Sequence, residues 1–389
     1  MANKSKRNIS ANPGLYIHIP YCDTKCGYCD FYSITNHSTR KDFIPALQKE
    51  MELYARPPFS GALFDTIYFG GGTPSLLEPS ELEQIFNRLH ALFRFAEDCE
   101  ITLEANPGTL NAEKLEAYKK LGVNRLSIGI QSFDEGELKM LGRIHSADDA
   151  RRSVEKARSA GIDNISVDLI FALPGQSLET WQSNMAEALK LEPQHISAYN
   201  LIFESGTQFY KKMLAGEIVP KGENEEWLFF SRTMETLEKG GISQYEVSNY
   251  AADESLYSRH NCKYWDHTPY LSFGPSAHSY WNGKRWSNMR SAAGYIKKLE
   301  EGILPLDFEE SLDEATLRFE RMMLGLRTRY GVDLAGFREH FQQPPDSYYP
   351  GVIETLLENR YAEIKDGFLR LTKKGLMICD EIVARFAPA

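Results

Sequence analysis

Apolar and polar positions along this chain alternate with two different periods. Short runs with a period of two, or continuously apolar, read as strands. Longer runs that repeat every three to four residues read as amphipathic helices. Leu15–Ile19 (LYIHI) predicts a first strand, and Arg40–Arg56 a helix broken by Pro57-Pro58. Thr66–Phe69 predicts a buried strand that runs into Gly70-Gly71-Gly72-Thr73-Pro74. Pro79–Phe93 predicts a helix with Ser80 near its start. Glu100–Glu104 predicts a strand ending in Asn106-Pro107-Gly108. Asn111–Leu121 predicts a helix stopped by Gly122. The series closes with strand Arg125–Ile130, helices Glu135–Leu141 and Ala147–Ala160, strand Asn164–Phe171, helix Leu178–Leu191 and strand His195–Leu201.

Six strands alternating with helices imply βαβ crossovers and a parallel sheet. Such a sheet either opens as a doubly wound layer or curls into a barrel, and in both forms ligands bind at the C-terminal ends of the strands. The unusual residues fall there. A cysteine loop follows strand one, the glycine run follows strand two, Glu104 closes strand three, Gln131 follows strand four, and Asp168 is placed at the end of strand five.

After about residue 205 the rhythm stops. Glu223–Lys239 predicts a helix, followed by an aromatic-rich stretch of short strands and turns, and Thr316–Leu326 predicts another helix. Near the end, YAEI and FLRL flank Asp366-Gly367, a good hairpin turn, in a small winged-helix-like unit. Residues 351–389 hold six basic and six acidic side chains, which argues for packing or a lid rather than DNA binding.

Composition narrows the class. Of 389 residues, 42% are hydrophobic and 25% charged, as in an ordinary globular protein. A net charge of -10, from 44 basic and 54 acidic side chains, argues against bulk attraction to nucleic acid or anionic membrane. No apolar run approaches the roughly 18 residues of a membrane span. The polar start, MANKSKRNISANPG, has no apolar core for a secretory leader. Cytoplasmic residence is the expectation.

Cys22, Cys26 and Cys29 lie within eight residues, while Cys99, Cys262 and Cys379 are isolated. That distribution points to a reducing compartment and one cluster of metal-binding thiols. Structural zinc commonly takes two C-x2-C pairs, and no second pair exists here. Three cysteines suffice for three irons of a [4Fe–4S] cluster and leave the fourth iron open to a ligand. A zinc knuckle is the bland alternative.

C-x3-C-x2-C after a first strand resembles the radical S-adenosylmethionine (SAM) family. The resemblance implies a partial parallel (β/α)6 TIM-like barrel, a [4Fe–4S] cluster on Cys22, Cys26 and Cys29, SAM on its open iron and an electron donor for the cluster. The fold class expected is therefore α/β: a core barrel over residues 13–205, a mixed α/β extension over 206–307, and a C-terminal winged-helix-like domain over 308–389. LYIHIPYC, FGGGTP, EANPG, GIQSF, GRIH and DLIFALPGQ occur in that order and look like the anaerobic coproporphyrinogen III oxidase family, over roughly residues 13–300. The resemblance implies cofactor contacts from Tyr16, Tyr28, Gly71, Gly72, Thr73, Glu104, Gln131, Arg143, Asp168 and Ile202. Tyr28 is to pack on adenine, Glu104 is to accept from the ribose, and Arg143 is to fork onto a carboxylate. The glycines are to admit SAM's methionine part, since only glycine permits such close approach.

Two features depart from the oxidase. Its fourth cysteine is here Phe31, and its longer leading segment is missing. His260-Asn261-Cys262-Lys263-Tyr264-Trp265 has the pattern H-N-x-x-Y-W and resembles a heme-chaperone subgroup of the family. It implies heme as a further ligand near His260, an acceptor hemoprotein as partner, and peripheral contact with a membrane-bound acceptor. Histidine is a common axial ligand of heme, and tyrosine and tryptophan offer flat apolar surface. The alternative is that these side chains bond internally and fill a core. Coproporphyrinogen oxidation and tRNA modification remain as further alternatives; the acidic balance weighs against a nucleic-acid partner.

Overall fold

The computed structural model describes residues 10–388. The polar start read above lies, through residue 9, outside the described residues. Six strands form the centre: β1 (Gly14–Ile19), β2 (Leu63–Gly71), β3 (Arg94–Ala105), β4 (Arg125–Gln131), β5 (Asn164–Phe171) and β6 (His195–Asn200). Each pairs in parallel with the next. A doubly wound sheet reverses its strand order at a switch point. Here the order is sequential, so the strands follow the course of a barrel wall.

Helices α1 (Arg40–Tyr54), α2 (Pro79–Leu92), α3 (Ala112–Lys120), α4 (Glu135–Leu141), α5 (Ala147–Ser159) and α6 (Leu178–Lys190) connect them. Their apolar spacing explains their packing: α1 buries Phe43, Leu47, Met51 and Tyr54, spaced four and three apart. Side-chain caps start α3 to α6, as Asn111 accepts from the Lys114 amide and Ser146 from the Asp149 amide. The capping residue of α2 is Glu78, in a box with Glu81, and Ser80 is already inside the helix.

Strand β3 is longer than its apolar run. β3 starts at Arg94 because its backbone pairs Leu63 with Arg94 and Phe64 with Phe95. The exposed Glu97 and Asp98 break the apolar pattern there without breaking the strand. The sequence placed Asp168 at the end of β5. It sits three residues earlier, and its side chain still reaches the barrel interior.

The wall does not close on itself. α7 (Gln208–Leu214) and α8 (Glu223–Lys239) lead to β7 (Ser243–Gln244) and β8 (Asn249–Ala251), and β8 pairs antiparallel with β6. After α9 (Arg259–Trp265), strand β9 (Tyr270–Phe273) pairs in parallel with the free side of β1. β10 (His278–Trp281), β11 (Lys284–Asn288), α10 (Ala292–Glu300) and β12 (Leu306–Ser311) continue outward. The extension thus adds to the barrel's own sheet, and one apolar core runs from Leu15 to Leu299.

The chain ends in α11 (Glu314–Leu326), β13 (Val332–Asp333), α12 (Leu334–Phe341), α13 (Pro345–Tyr348), α14 (Val352–Glu358), β14 (Ala362–Lys365), β15 (Phe368–Leu371), α15 (Lys373–Leu376) and α16 (Cys379–Ala384). Helices around a three-stranded sheet bury a second core, from Met322 to Phe386. Asp366 and Gly367 both have positive φ, as the tight β14–β15 hairpin requires. Among the described residues, no helix is long and apolar enough to cross a membrane.

Candidate functional site

At the C-terminal ends of the barrel strands a cavity of about 460 Å³ opens. The loop after β1 closes on itself: the Cys22 amide donates to Ile34 O (3.0 Å), the Ile34 amide to Pro20 O (2.7 Å), and the Cys29 amide to Cys26 O (3.3 Å). This holds three free, partly buried thiols along the cavity, whereas Cys99, Cys262 and Cys379 are buried away from it. Thr73 Oγ1 donates to Cys22 Sγ (3.4 Å) and Arg143 Nη1 to Cys26 Sγ (3.5 Å). Burial pushes the Cys22 and Cys29 thiols up, Cys29 to about 11. An electropositive centre is what holds such groups as thiolates.

Two half-buried carboxyl groups, Glu104 and Asp168, line the same cavity. Glu104 Oε1 accepts from Tyr68 OH (2.8 Å) and Oε2 from the Gly71 amide (3.2 Å). Burial raises its pKa to about 7. Asp168 accepts from Ser127 Oγ (2.9 and 3.0 Å) and Ser166 Oγ (3.1 Å), and burial raises its pKa as well. Arg143 is the cation between these groups and the loop. Its Nη2 donates to Asn106 Oδ1 (2.5 Å) and Gly129 O (2.7 Å), while its buried Nε has no partner among the described residues.

The cysteines, Tyr28, Gly71, Gly72, Thr73, Glu104, Gln131, Arg143, Asp168 and Ile202 all line this one cavity. The glycine run has an internal cause too. A Cβ at Gly71, where φ is +108°, would meet the His18 ring at 2.5 Å, and one at Gly72 would meet Tyr21 O at 2.7 Å. Close packing on β1 and its loop already demands glycine. Gln131 has a φ of +70° at a register shift between β4 and β5, and that turn brings its amide over Gly129.

Tyr16 does not line the cavity. Its hydroxyl bonds His18 Nδ1 (3.2 Å), and its ring lies one layer down, beside Tyr68 and beneath Gly70.

His260 does not line this cavity. It lies at the opposite, N-terminal end of the barrel and is 1% exposed. Nδ1 shares a hydrogen bond with Thr66 Oγ1 (2.8 Å), and Nε2 with Tyr264 OH (3.0 Å). Its amide donates to Glu100 Oε1 (3.1 Å). Burial holds the imidazole neutral, down to a pKa of about 3. Neither ring nitrogen is free for heme iron. Helix α9 plugs this end, with Lys263 Nζ 2.6 Å from Asp65 Oδ1, both 1% exposed. Cys262 packs with Tyr245, Ala251 and Tyr257. In this structure the motif's His260, Lys263 and Tyr264 bond internally.

Asn106, Ser127, Tyr199 and Asn200 also line the cavity and were missed. Strand alternation carried a signal for one of them. Counting back from Gln131 by two reaches Gly129 and then Ser127.

Residues 16–188 match the family model of the radical SAM superfamily, and residues 312–378 that of the HemN C-terminal domain. The heme chaperone HemW of Bacillus subtilis is 36% identical over 95% of this chain and 98% of its own. The chain belongs to the HemW family. HemW of Lactococcus lactis is 33% identical, over 95% of this chain and 96% of its own. The structure of coproporphyrinogen III oxidase from Escherichia coli, a radical SAM enzyme, is similar with a TM-score of 0.83. It covers 97% of this chain and 91% of its own at 21% identity, a likeness that shows the fold. The α/β radical SAM architecture is thereby shared along nearly the whole chain of this HemW-family member.

A radical SAM domain brings with it a [4Fe–4S] cluster and SAM. The residues present fit both. Among the described residues no three His, Cys, Asp or Glu side chains converge tightly enough for a single ion. Three thiols spread around one loop have the donor set for three irons of a cluster. Arg143, whose Nε has no partner among the described residues, and the carboxyls of Glu104 and Asp168 give the adjoining cavity groups of both signs, suited to an amino acid carrying a nucleoside.

Proposed function

We propose that this protein is a heme chaperone: it binds a [4Fe–4S] cluster, SAM and heme, and passes heme to an acceptor hemoprotein. One observation carries the reading, the 36% identity to a protein named heme chaperone HemW over nearly the full length of both chains. Cys22, Cys26 and Cys29 hold the cluster. Bound beside it, SAM supplies one-electron chemistry. The chain's own residues position and exclude. Arg143 steers a carboxylate by its planar fork, Glu104 and Asp168 accept from hydroxyl or ammonium groups, and the Gln131 amide offers donor and acceptor together. Tyr28 provides a flat wall. The partners of this reading are an electron donor for the cluster and an acceptor hemoprotein, met in the cytoplasm or at a membrane surface, without nucleic acid. The working units are the core read at 13–205, the extension read at 206–307, whose last strand β12 runs on to Ser311, and the C-terminal unit read at 308–389, whose own core starts in α11.

The test is an anaerobic heme titration of cluster-reconstituted protein followed by visible absorbance, then mixing with an apo-hemoprotein. Saturation at an equimolar end point and passage of heme to the acceptor are expected. Absence of saturable binding overturns the reading. Decarboxylation of coproporphyrinogen under the same conditions installs the oxidase reading in its place.

A further inference from the structure

Resting on the heme-chaperone reading, we propose that heme sits on the rim of the cluster cavity, stacked on Phe31, Tyr199 and Ile202 with its propionates toward Lys25 and Arg290, and takes no ligand from His260. Phe31 is 70% exposed, Ile202 63% and Tyr199 41%, and all three line the cavity. They come from separate stretches of chain, the cysteine loop and the end of β6 with the segment after it. Ile144, 71% exposed, follows Arg143 on a neighbouring loop. Large apolar side chains gathered around a polar opening mark a place where an apolar body is covered.

Size separates the two ligands. A cavity of about 460 Å³ is in the lower part of the roughly 300–1,000 Å³ range of single small-molecule sites. SAM fills such a volume, so a porphyrin lies on the cavity rather than in it. The propionates find cations at the same rim. Lys25 lines the cavity, and Arg290 stands beside the cysteine loop, donating to Asp30 O (3.2 Å) and 3.9 Å from Asp30 Oδ1, an exposed pair that a propionate would share. Asp30 and Glu204 also line the cavity, so the charge is mixed and the apolar faces carry the recognition.

The wall of this cavity contains no histidine or methionine among the described residues, and its three thiols belong to the cluster. His260 is sealed at the other end of the barrel with both nitrogens bonded. Heme is then held by stacking and carboxylate pairing, with its axial positions left to exchangeable ligands. That arrangement suits a carrier that must let go.

The experiment titrates the full-length, cluster-reconstituted protein anaerobically with heme and, in parallel, with iron-free protoporphyrin IX. Wild type is compared with Phe31→Ser, Ile202→Ser, His260→Ala and Tyr264→Phe. Both tetrapyrroles are expected to bind with Kd values within about threefold, since iron ligation adds little. Phe31→Ser and Ile202→Ser, both exposed positions that fold without difficulty, raise each Kd about tenfold. His260→Ala and the milder Tyr264→Phe leave it unchanged. Heme binding that ignores both rim variants, or that requires iron or His260, overturns the placement and leaves the chaperone reading standing. Failure of wild type to bind either tetrapyrrole overturns the reading and the placement together.

Discussion

The two ends of the barrel use the same kinds of residue to opposite purpose. At the C-terminal end polar atoms keep spare bonding capacity. Three thiols are free, and Arg143 Nε and Asn200 Oδ1 have no partner among the described residues. Under α9, at the N-terminal end, the capacity is spent. His260 uses both ring nitrogens, Glu100 takes the first amides of α9, and Asp65 pairs with Lys263 and Arg259. A polar motif marks chemistry where its bonds are left open and scaffold where they are closed. H-N-x-x-Y-W reads like a ligand site until its partners are seen.

The sharpest way to break the contrast is at the cysteine loop. Cys26→Ala is expected to abolish iron incorporation and the visible absorbance of the reconstituted protein. It should move the stability of the metal-free protein by no more than about 0.5 kcal/mol. A loss of several kcal/mol in denaturant unfolding would make the loop scaffold too. The mirror experiment is Lys263→Met. It leaves buried Asp65 with Arg259 alone and is expected to cost about 3–5 kcal/mol. Iron bound per folded chain stays at the wild-type level. If stability holds, the plug is not what closes this end.

Proton uptake gives a smaller effect with a definite sign. Burial raises Glu104 to about 7 from an ordinary 4.5, and Glu50 and Glu246 rise likewise. The folded state therefore holds protons that the unfolded state has released between those values. The associated stability is complete below about pH 4.5 and is lost as pH rises toward 7. Glu104→Gln should flatten that loss by roughly 1–2 kcal/mol across the window in the metal-free protein, leaving the shares of Glu50 and Glu246. An unchanged slope would mean that water in the open cavity already solvates Glu104.

The barrel was legible in the sequence because βαβ repeats write two periods into the chain, and Asn164–Phe171 is bounded as predicted. The extension was not, because β8 and β9 attach to opposite edges of the sheet through short segments with no period of their own. At the site, the cysteines and the strand-end residues were legible from spacing. The internal bonds of His260 were not legible, because its residue type resembles a ligand and only the packing of Thr66 and Tyr264 against it reveals them. Tyr199 and Asn200 sit at the end of β6, where the sequence offered no unusual residue to flag.

Asn106 offers the finest test. It donates to Thr73 Oγ1 (3.0 Å) and accepts from Arg143 Nη2 (2.5 Å), and those two residues in turn donate to Cys22 and Cys26. One amide therefore ties both sulfur-directed donors to the rim of β3. In metal-free protein Asn106→Ala removes two hydrogen bonds beside an open cavity, where water can replace them, so about 1 kcal/mol of stability is the expected cost. In cluster-reconstituted protein the Arg143 fork keeps Gly129 O but loses the side chain that aims it, and the Kd for SAM is expected to rise about tenfold. A large stability loss with SAM affinity intact would give the mouth the same character as the plug, and the distinction between the two ends would fail at the residue where it is most finely drawn.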